Sequence, residues 1–382
     1  MTEQLQQKIT IIGLGLIGGS IGLALKSAGL GGFTVIGHDR ARGAEKAAEK
    51  MGAIDRGEHS QPKAVAGASI VIVATPITAL PEVFQQIGPD LSPGAVVTDT
   101  ASTKSEVMRW AKALLPDTVA FIGGHPMAGK ETPGIESAEA GLFHGRAYCI
   151  VPPVDATPEA IRQITGLARL VGAEPLYMDA DEHDQYAAAV SHMPLVLSTA
   201  LFTLLRESPS WDDLGNIASS GFRDMTRLAS GDPLMSHGIW STNREAIIHW
   251  LERMTAELSR YRDMLQDARD EELLRVFGEA RIQRDTFIAE PPGRRYKEKS
   301  AAEETRSRAL MDMFLGGMLA DNLRRMQKLP EVTKELEAER EKRGEPAKKL
   351  SLADKIAEGV RRDLEKMEAE SGSEDTPSDE GK

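Results

Sequence analysis

Three sets of residues have the types and spacing to do chemistry. Gly13, Gly15 and Gly18 form G-x-G-x-x-G, after the apolar run Ile9–Ile12 and ahead of a helical stretch from Ser20 to Ser27. A second apolar run, Thr34–Gly37, leads to Asp39, about 20 positions on, where a dinucleotide-binding turn places its acid. Gly13 allows the tight turn, Gly15 lets a pyrophosphate approach the backbone, and Gly18 lets the helix pack on the strand. The free N–H groups of the first helical turn, with Leu16 and Ile17 in it, then face the phosphates. Asp39 can accept hydrogen bonds from both ribose hydroxyls, and its charge repels a 2′-phosphate. NAD is therefore expected over NADP, with Arg40 and Arg42 close enough to compensate and leave NADP open. Asp39 also has a plain reading, as a helix cap at a strand end.

The second set is polar and follows predicted strands: Thr75-Pro76, Asp99 to Lys104 with Ser102, and Gly123 to Gly129 with His125. In parallel sheets such strand ends converge on the ligand. The third set is Arg223 and Arg227 within 219–227, which share a face if the segment is helical and could clamp an anion. Salt bridges to Asp224 or Asp213 are the equal alternative.

The elements that must position these residues fall into three parts. Over 1–180, Val/Ile-rich runs at 69–74, 95–98, 120–123, 148–151 and 175–178 alternate with helical patterns at 78–87, 104–115 and 158–171. That alternation predicts a Rossmann-type, mostly parallel sheet buried on both faces. Over 181–289 no strand pattern is present and apolar residues recur at helical spacing, as at Tyr186, Val190, Met193, Leu197, Leu201 and Leu204. An all-helical second domain is expected, its apolar faces buried within one subunit or at an interface. Gly231-Asp232-Pro233 reads as a turn and helix start. Residues 290–382 are charge-rich, with an amphipathic set at Leu310, Phe314 and Met318, a solvated helix at 334–343 and a disordered end.

The chain has 382 residues and a net charge of -12. An acidic balance leaves no broad basic surface, so no nucleic-acid partner is expected. No apolar run approaches the ~20 residues of a membrane span, so no membrane partner is expected. Met1–Lys8 lacks a signal-peptide pattern, and a cytoplasmic location is expected. Cys149 is the only cysteine, and no His, Cys or acid cluster has metal-ligand spacing.

Three segments together resemble the prephenate/arogenate dehydrogenases of tyrosine biosynthesis: the glycine turn from Gly13, the segment Gly123-Gly-His-Pro-Met-Ala-Gly-Lys-Glu-Thr-Pro-Gly, and Gly221-Phe-Arg-Asp-Met-Thr-Arg. Val190-Ser-His-Met-Pro194 supports them, and the resemblance covers about 8–289. It implies a homodimer formed through the helical domain, and oxidative decarboxylation of a small cyclohexadienol, prephenate or arogenate. Hydride passes from the carbon bearing the hydroxyl to NAD, the ring carboxylate leaves as carbon dioxide, and aromatisation drives the step. It implies that His125 is the catalytic histidine, that Ser102 helps orient the hydroxyl and His125, and that Arg227 holds a carboxylate. Arg223 stands at a position that is basic in the family, and Glu131 and His192 match residues lining the pocket. Leu195 replaces a histidine found in some members, and Ser236-His237 replaces Trp-Arg. Both departures touch the region where the keto acid of prephenate and the amino acid of arogenate differ. His183, His237 and His249 are read as structural. A β-hydroxy-acid dehydrogenase is disfavoured because 179–289 lacks the lysine base that such enzymes use. A non-catalytic NAD-binding sensor is the rival from another class.

Overall fold

A computed structural model describes residues 7–29, 32–130 and 132–289. Glu131 and the expectations for 290–382 lie outside the described residues.

Eight strands form one sheet: β1 (Gln7–Ile12), β2 (Phe33–His38), β3 (Arg56–Gly57), β4 (Ile70–Val73), β5 (Val96–Asp99), β6 (Ala120–Pro126), β7 (Ala147–Val151) and β8 (Glu174–Tyr177). Their spatial order is β3-β2-β1-β4-β5-β6-β7-β8. All neighbours pair in parallel except β6 and β7, which are antiparallel with His125 opposite Cys149. The helices of this half are α1 (Leu16–Ser27), α2 (Ala44–Met51), α3 (Gln61–Val65), α4 (Leu80–Ile87), α5 (Ser105–Leu114) and α6 (Pro158–Leu170).

Alternate strand residues serve opposite faces, as a period of two requires. Ile9, Ile11, Ile70 and Ile72 pack with Ile21, Leu25, Ile164 and Leu167 of α1 and α6. Val71, Val73 and Val97 pack with Leu80, Phe84 and Val107 of α4 and α5. Both faces being covered, the central strands read as continuous Val/Ile runs. The order in which strands are added reverses between β1 and β4, and the crevice at that switch point is where such a sheet binds its ligand.

The second half is helical throughout its described residues: α7 (Ala180–Ala187), α8 (Met193–Arg206), α9 (Trp211–Ile217), α10 (Ser220–Thr226), α11 (Pro233–Thr242), α12 (Arg244–Gln266) and α13 (Asp270–Ala289). Asp232 caps α11 by accepting the Met235 N–H at 2.8 Å, as the Gly-Asp-Pro signal predicts. A π-helical turn, Ala188–His192, joins α7 to α8 immediately before Pro194. Proline lacks an N–H and its ring crowds the carbonyl four residues back; the widened turn lets the helix continue through it.

Ala180–Arg206 is therefore one continuous 27-residue helix with hydropathy 1.6, long and apolar enough by length and composition to cross a membrane. This corrects the expectation that no run approaches that length: Pro194 and scattered Ser, Thr and His disguised a stretch without charge. The buried hydrophobic cluster of this half is small among the described residues, formed by Ala188, Ile239, Ala246 and Ile247.

Candidate active site

Gly13 has φ +93°, and a Cβ there would lie 2.4 Å from the Ala74 carbonyl oxygen. A Cβ on Gly18 would lie 1.9 Å from the Gly13 oxygen, so helix and turn touch backbone to backbone. Above Gly15 there is open space, and no side chain caps the N-terminus of α1 there. Asp39 is held by two backbone donors, Leu14 N–H at 2.7 Å and Ala41 N–H at 2.8 Å. Neither donor belongs to a helix, and no side chain caps α1 or α2, so Asp39 tethers the glycine turn to its own loop and the plain cap reading is not realised.

A cleft of about 420 Å3 brings together Gly13, Gly15, Asp39, Arg40, Thr75 and Pro76. Leu16, Ile17 and Gly18 stand in the first turn of α1 beside it rather than in its lining. The buried Thr75 hydroxyl has no protein partner. An uncapped helix start, an open glycine, a tethered acid and an orphaned hydroxyl fit a dinucleotide.

The second cluster lies at the carboxyl ends of β5 and β6. The histidine expected in a loop after β6 sits within the strand, because β7 pairs with residues 123–126. Gly124 makes this approach possible: a Cβ would meet the Asp99 oxygen at 2.5 Å and the Tyr148 hydroxyl at 2.9 Å. Asp99 accepts the Gly124 N–H at 3.1 Å and the Ala101 N–H at 2.8 Å. Fully buried Lys104 is ion-paired with Asp99 and donates to the Gly124 carbonyl at 2.8 Å.

His125 meets the helical half directly. Its Nδ1 lies 2.8 Å from Nε2 of His183 on α7, whose Nδ1 lies 2.8 Å from Oδ1 of Asp184. Asp184 also accepts the N–H of Lys104 at 2.7 Å and of Ser105 at 2.9 Å, and so caps α5 from outside its own half. Asn243 donates to the Asp184 carbonyl at 2.8 Å and lies 3.1 Å from His192 Nδ1. Thr103 and Thr242 join hydroxyls at 2.8 Å.

Burial holds the His125 imidazole well below its ordinary 6.5, helped by His183, Lys104 and His192. Burial likewise pushes His192 down to about 4, against the pull of Asp184. The opposite holds for Asp184, where hydrogen bonds from His183, Ser105 and Lys104 outweigh its desolvation and lower it.

His125 and His192 thus fall in one buried cluster. Ser102 lies in the β5–α5 loop, its backbone beside the His192 ring, while His192 Nε2 is buried without a hydrogen-bond partner. Arg223 and Arg227 are exposed, at α10 and at the tighter turn Arg227–Ser230 that follows. Their segment is fixed by Phe222, stacked on Phe202 with centroids 6.3 Å apart, and by the Ala229 N–H donated to Ser198 at 3.1 Å. Sequence reasoning did not single out Asp184 or Asn243, read His183 as structural, and met Lys104 only as the end of the polar run from Asp99. Only the adjacency of His183 and Asp184 at a helix start hinted at them. Among the described residues no group of His, Cys, Asp and Glu could hold a metal.

The family model described as the nucleotide-binding domain of prephenate dehydrogenase matches residues 21–177, and that described as its dimerization domain matches 179–279. The chain belongs to the prephenate dehydrogenase family. It is 32% identical over 285 residues to the prephenate dehydrogenase of Bacillus subtilis, covering 74% of this chain and 76% of that one. Among solved structures it is similar to the Aquifex aeolicus prephenate dehydrogenase in complex with hydroxyphenyl propionate and NAD+, at 28% identity and TM-score 0.69, covering 74% of this chain and 98% of that one. The Synechocystis arogenate dehydrogenase is similar at 29% identity and TM-score 0.64, covering 74% and 100%. Family membership and the buried histidine cluster disfavour the hydroxy-acid and sensor alternatives.

Proposed function

We propose that the chain is a prephenate dehydrogenase, oxidatively decarboxylating prephenate to 4-hydroxyphenylpyruvate with NAD, in tyrosine biosynthesis. The observation that carries this reading is His125: a buried imidazole kept neutral by its surroundings, at the strand ends beyond a dinucleotide cleft, in a chain of this family. When bound, NAD supplies the hydride acceptor.

His125 takes the substrate hydroxyl proton at Nε2 while hydride leaves the same carbon. The electron pair of the ring–carboxylate bond enters the ring as carbon dioxide departs. The resulting phenolate recovers its proton from His125, so the protein finishes unchanged. Ser102 orients the hydroxyl, and the guanidinium of Arg227 makes a bidentate contact with a carboxylate, with Arg223 adding positive charge. His192 lines the pocket, and the family resemblance gives Glu131 the same part. Gly13, Gly15 and the first turn of α1 hold the pyrophosphate, Asp39 the ribose, and Arg40, Thr75 and Pro76 the rest of the cofactor's walls. The divisions 1–180, 181–289 and 290–382 are proposed as nucleotide-binding domain, helical substrate and dimerisation domain, and tail. The active form is proposed to be a homodimer through the helical half, in a cytoplasmic setting.

The test is steady-state formation of reduced nicotinamide from prephenate and from arogenate, each with NAD and NADP. Turnover fastest with prephenate and NAD is expected, and His125→Asn should cost roughly 10²–10⁴-fold in kcat with NAD affinity intact. Exclusive use of arogenate would transfer the reading to that substrate, and wild-type turnover by His125→Asn would remove His125 from the chemistry.

A further inference from the structure

His183 lies outside every motif that points to the family, yet it is 1% exposed and hydrogen-bonded to His125. We propose that Asp184 and His183 are positioning residues: with His125 they form a chain of hydrogen bonds that fixes the tautomer of His125 and leaves its Nε2 lone pair for the substrate hydroxyl. This deepens the proposed function and rests on its reading of His125 as the proton acceptor.

The directions of the bonds follow from the donors available. Asp184 receives N–H groups from Lys104 and Ser105 at 2.7 and 2.9 Å, the surroundings of a carboxylate and not of a carboxylic acid. A carboxylate only accepts, so His183 Nδ1, at 2.8 Å, carries a proton. A His183 that is neutral has this one N–H only, which leaves its Nε2 bare. That nitrogen lies 2.8 Å from His125 Nδ1, which must therefore be the donor. His125 has then spent its only proton on His183, and its Nε2 is an acceptor. Without the chain, neutral His125 is free to carry its proton on Nε2, where it repels the very proton it must take.

The same chain receives the charge. On gaining the hydroxyl proton, His125 becomes imidazolium with its Nδ1–H already bonded to His183, and the Asp184 carboxylate lies one imidazole further on. No proton needs to move beyond His125, and it returns to the phenolate at the end. Since His125 belongs to β6 while His183 and Asp184 belong to α7, the acceptor is set only where sheet and helical halves meet.

Two substitutions at one site separate positioning from simple packing. His183→Leu removes the acceptor; His183→Gln offers an amide oxygen near the place of Nε2. His183→Leu should lose about 10²-fold or more in kcat with KM and NAD affinity nearly unchanged, and His183→Gln should recover to within about tenfold of wild type. Wild-type kcat in His183→Leu, or equal loss in both variants, overturns the proposal. Nitrogen-15 spectra of histidine-labelled wild type decide the tautomer even if His183→Leu fails to fold. Of the eight histidines, the signal missing in His125→Asn is that of His125. Protonation at Nδ1 is expected, and protonation at Nε2 overturns the proposal. If wild type turned over neither cyclohexadienol, the functional reading would fall while the spectra still judged the chain.

Discussion

His125 works in surroundings that keep it unprotonated, and the sign of the pH dependence follows. Burial and neighbouring His183, Lys104 and His192 all disfavour the cation, so the folded group titrates well below 6.5. The competent, neutral form therefore persists as pH falls through 6.5. The acid limb of kcat/KM is expected below pH 6.5, and a limb at or above that value would show that another group governs turnover. Arg227 makes a different prediction. Loss of a carboxylate clamp in Arg227→Ala should raise the substrate KM by about tenfold or more and leave NAD affinity alone, the scale of a lost charge-assisted contact. An unchanged KM would make Arg227 a surface residue. The glycine turn and Asp39 were legible because their spacing is local. His183 was not, since its partner His125 is 58 residues away and only the folded packing brings them together.

At the scale of elements, α5 has no side-chain cap of its own, and Asp184 supplies one from α7. Its carboxylate satisfies two N–H groups and favours the positive end of the helix dipole. Asp184→Ala is expected to lower stability by about 1–3 kcal/mol, which for a chain of this size is about 2–4 °C in Tm for each kcal/mol. Thermal unfolding with an unaltered Tm would deny the cap its weight. Seven of the eight strands were legible from their apolar runs, because burial on both faces writes itself into composition. β3, only two residues long, left no pattern. The antiparallel pairing of β7 was equally invisible, since the same side-chain alternation serves either direction. The π-turn before Pro194 could not be seen, because a proline in sequence reads as a helix start.

At the scale of the whole molecule, the two halves differ in how they are stabilised. The sheet half has a large apolar cluster on each face, whereas the helical half buries four hydrophobic residues in its own cluster. In α13, Leu274 remains 75% exposed and Ile282 69%. Surfaces of this kind are stabilised when a partner covers them. Leu274→Glu with Ile282→Glu is expected to shift sedimentation from dimer to monomer, and a dimer that tolerates both charges would place its interface elsewhere. Apolar helical spacing revealed these faces in the sequence, but spacing alone does not distinguish an interior from an interface.

The double engagement of Asp184 also limits how such a protein can diverge. One carboxylate caps a helix of the nucleotide-binding half and orients the acceptor through His183, so a mutation that retunes one task disturbs the other. Drift toward a new substrate is thereby steered away from this position and toward side chains outside the chain of bonds, as the family departures at Leu195 and Ser236 are proposed to be. Specificity can wander there while the proton-handling core stays locked to the architecture.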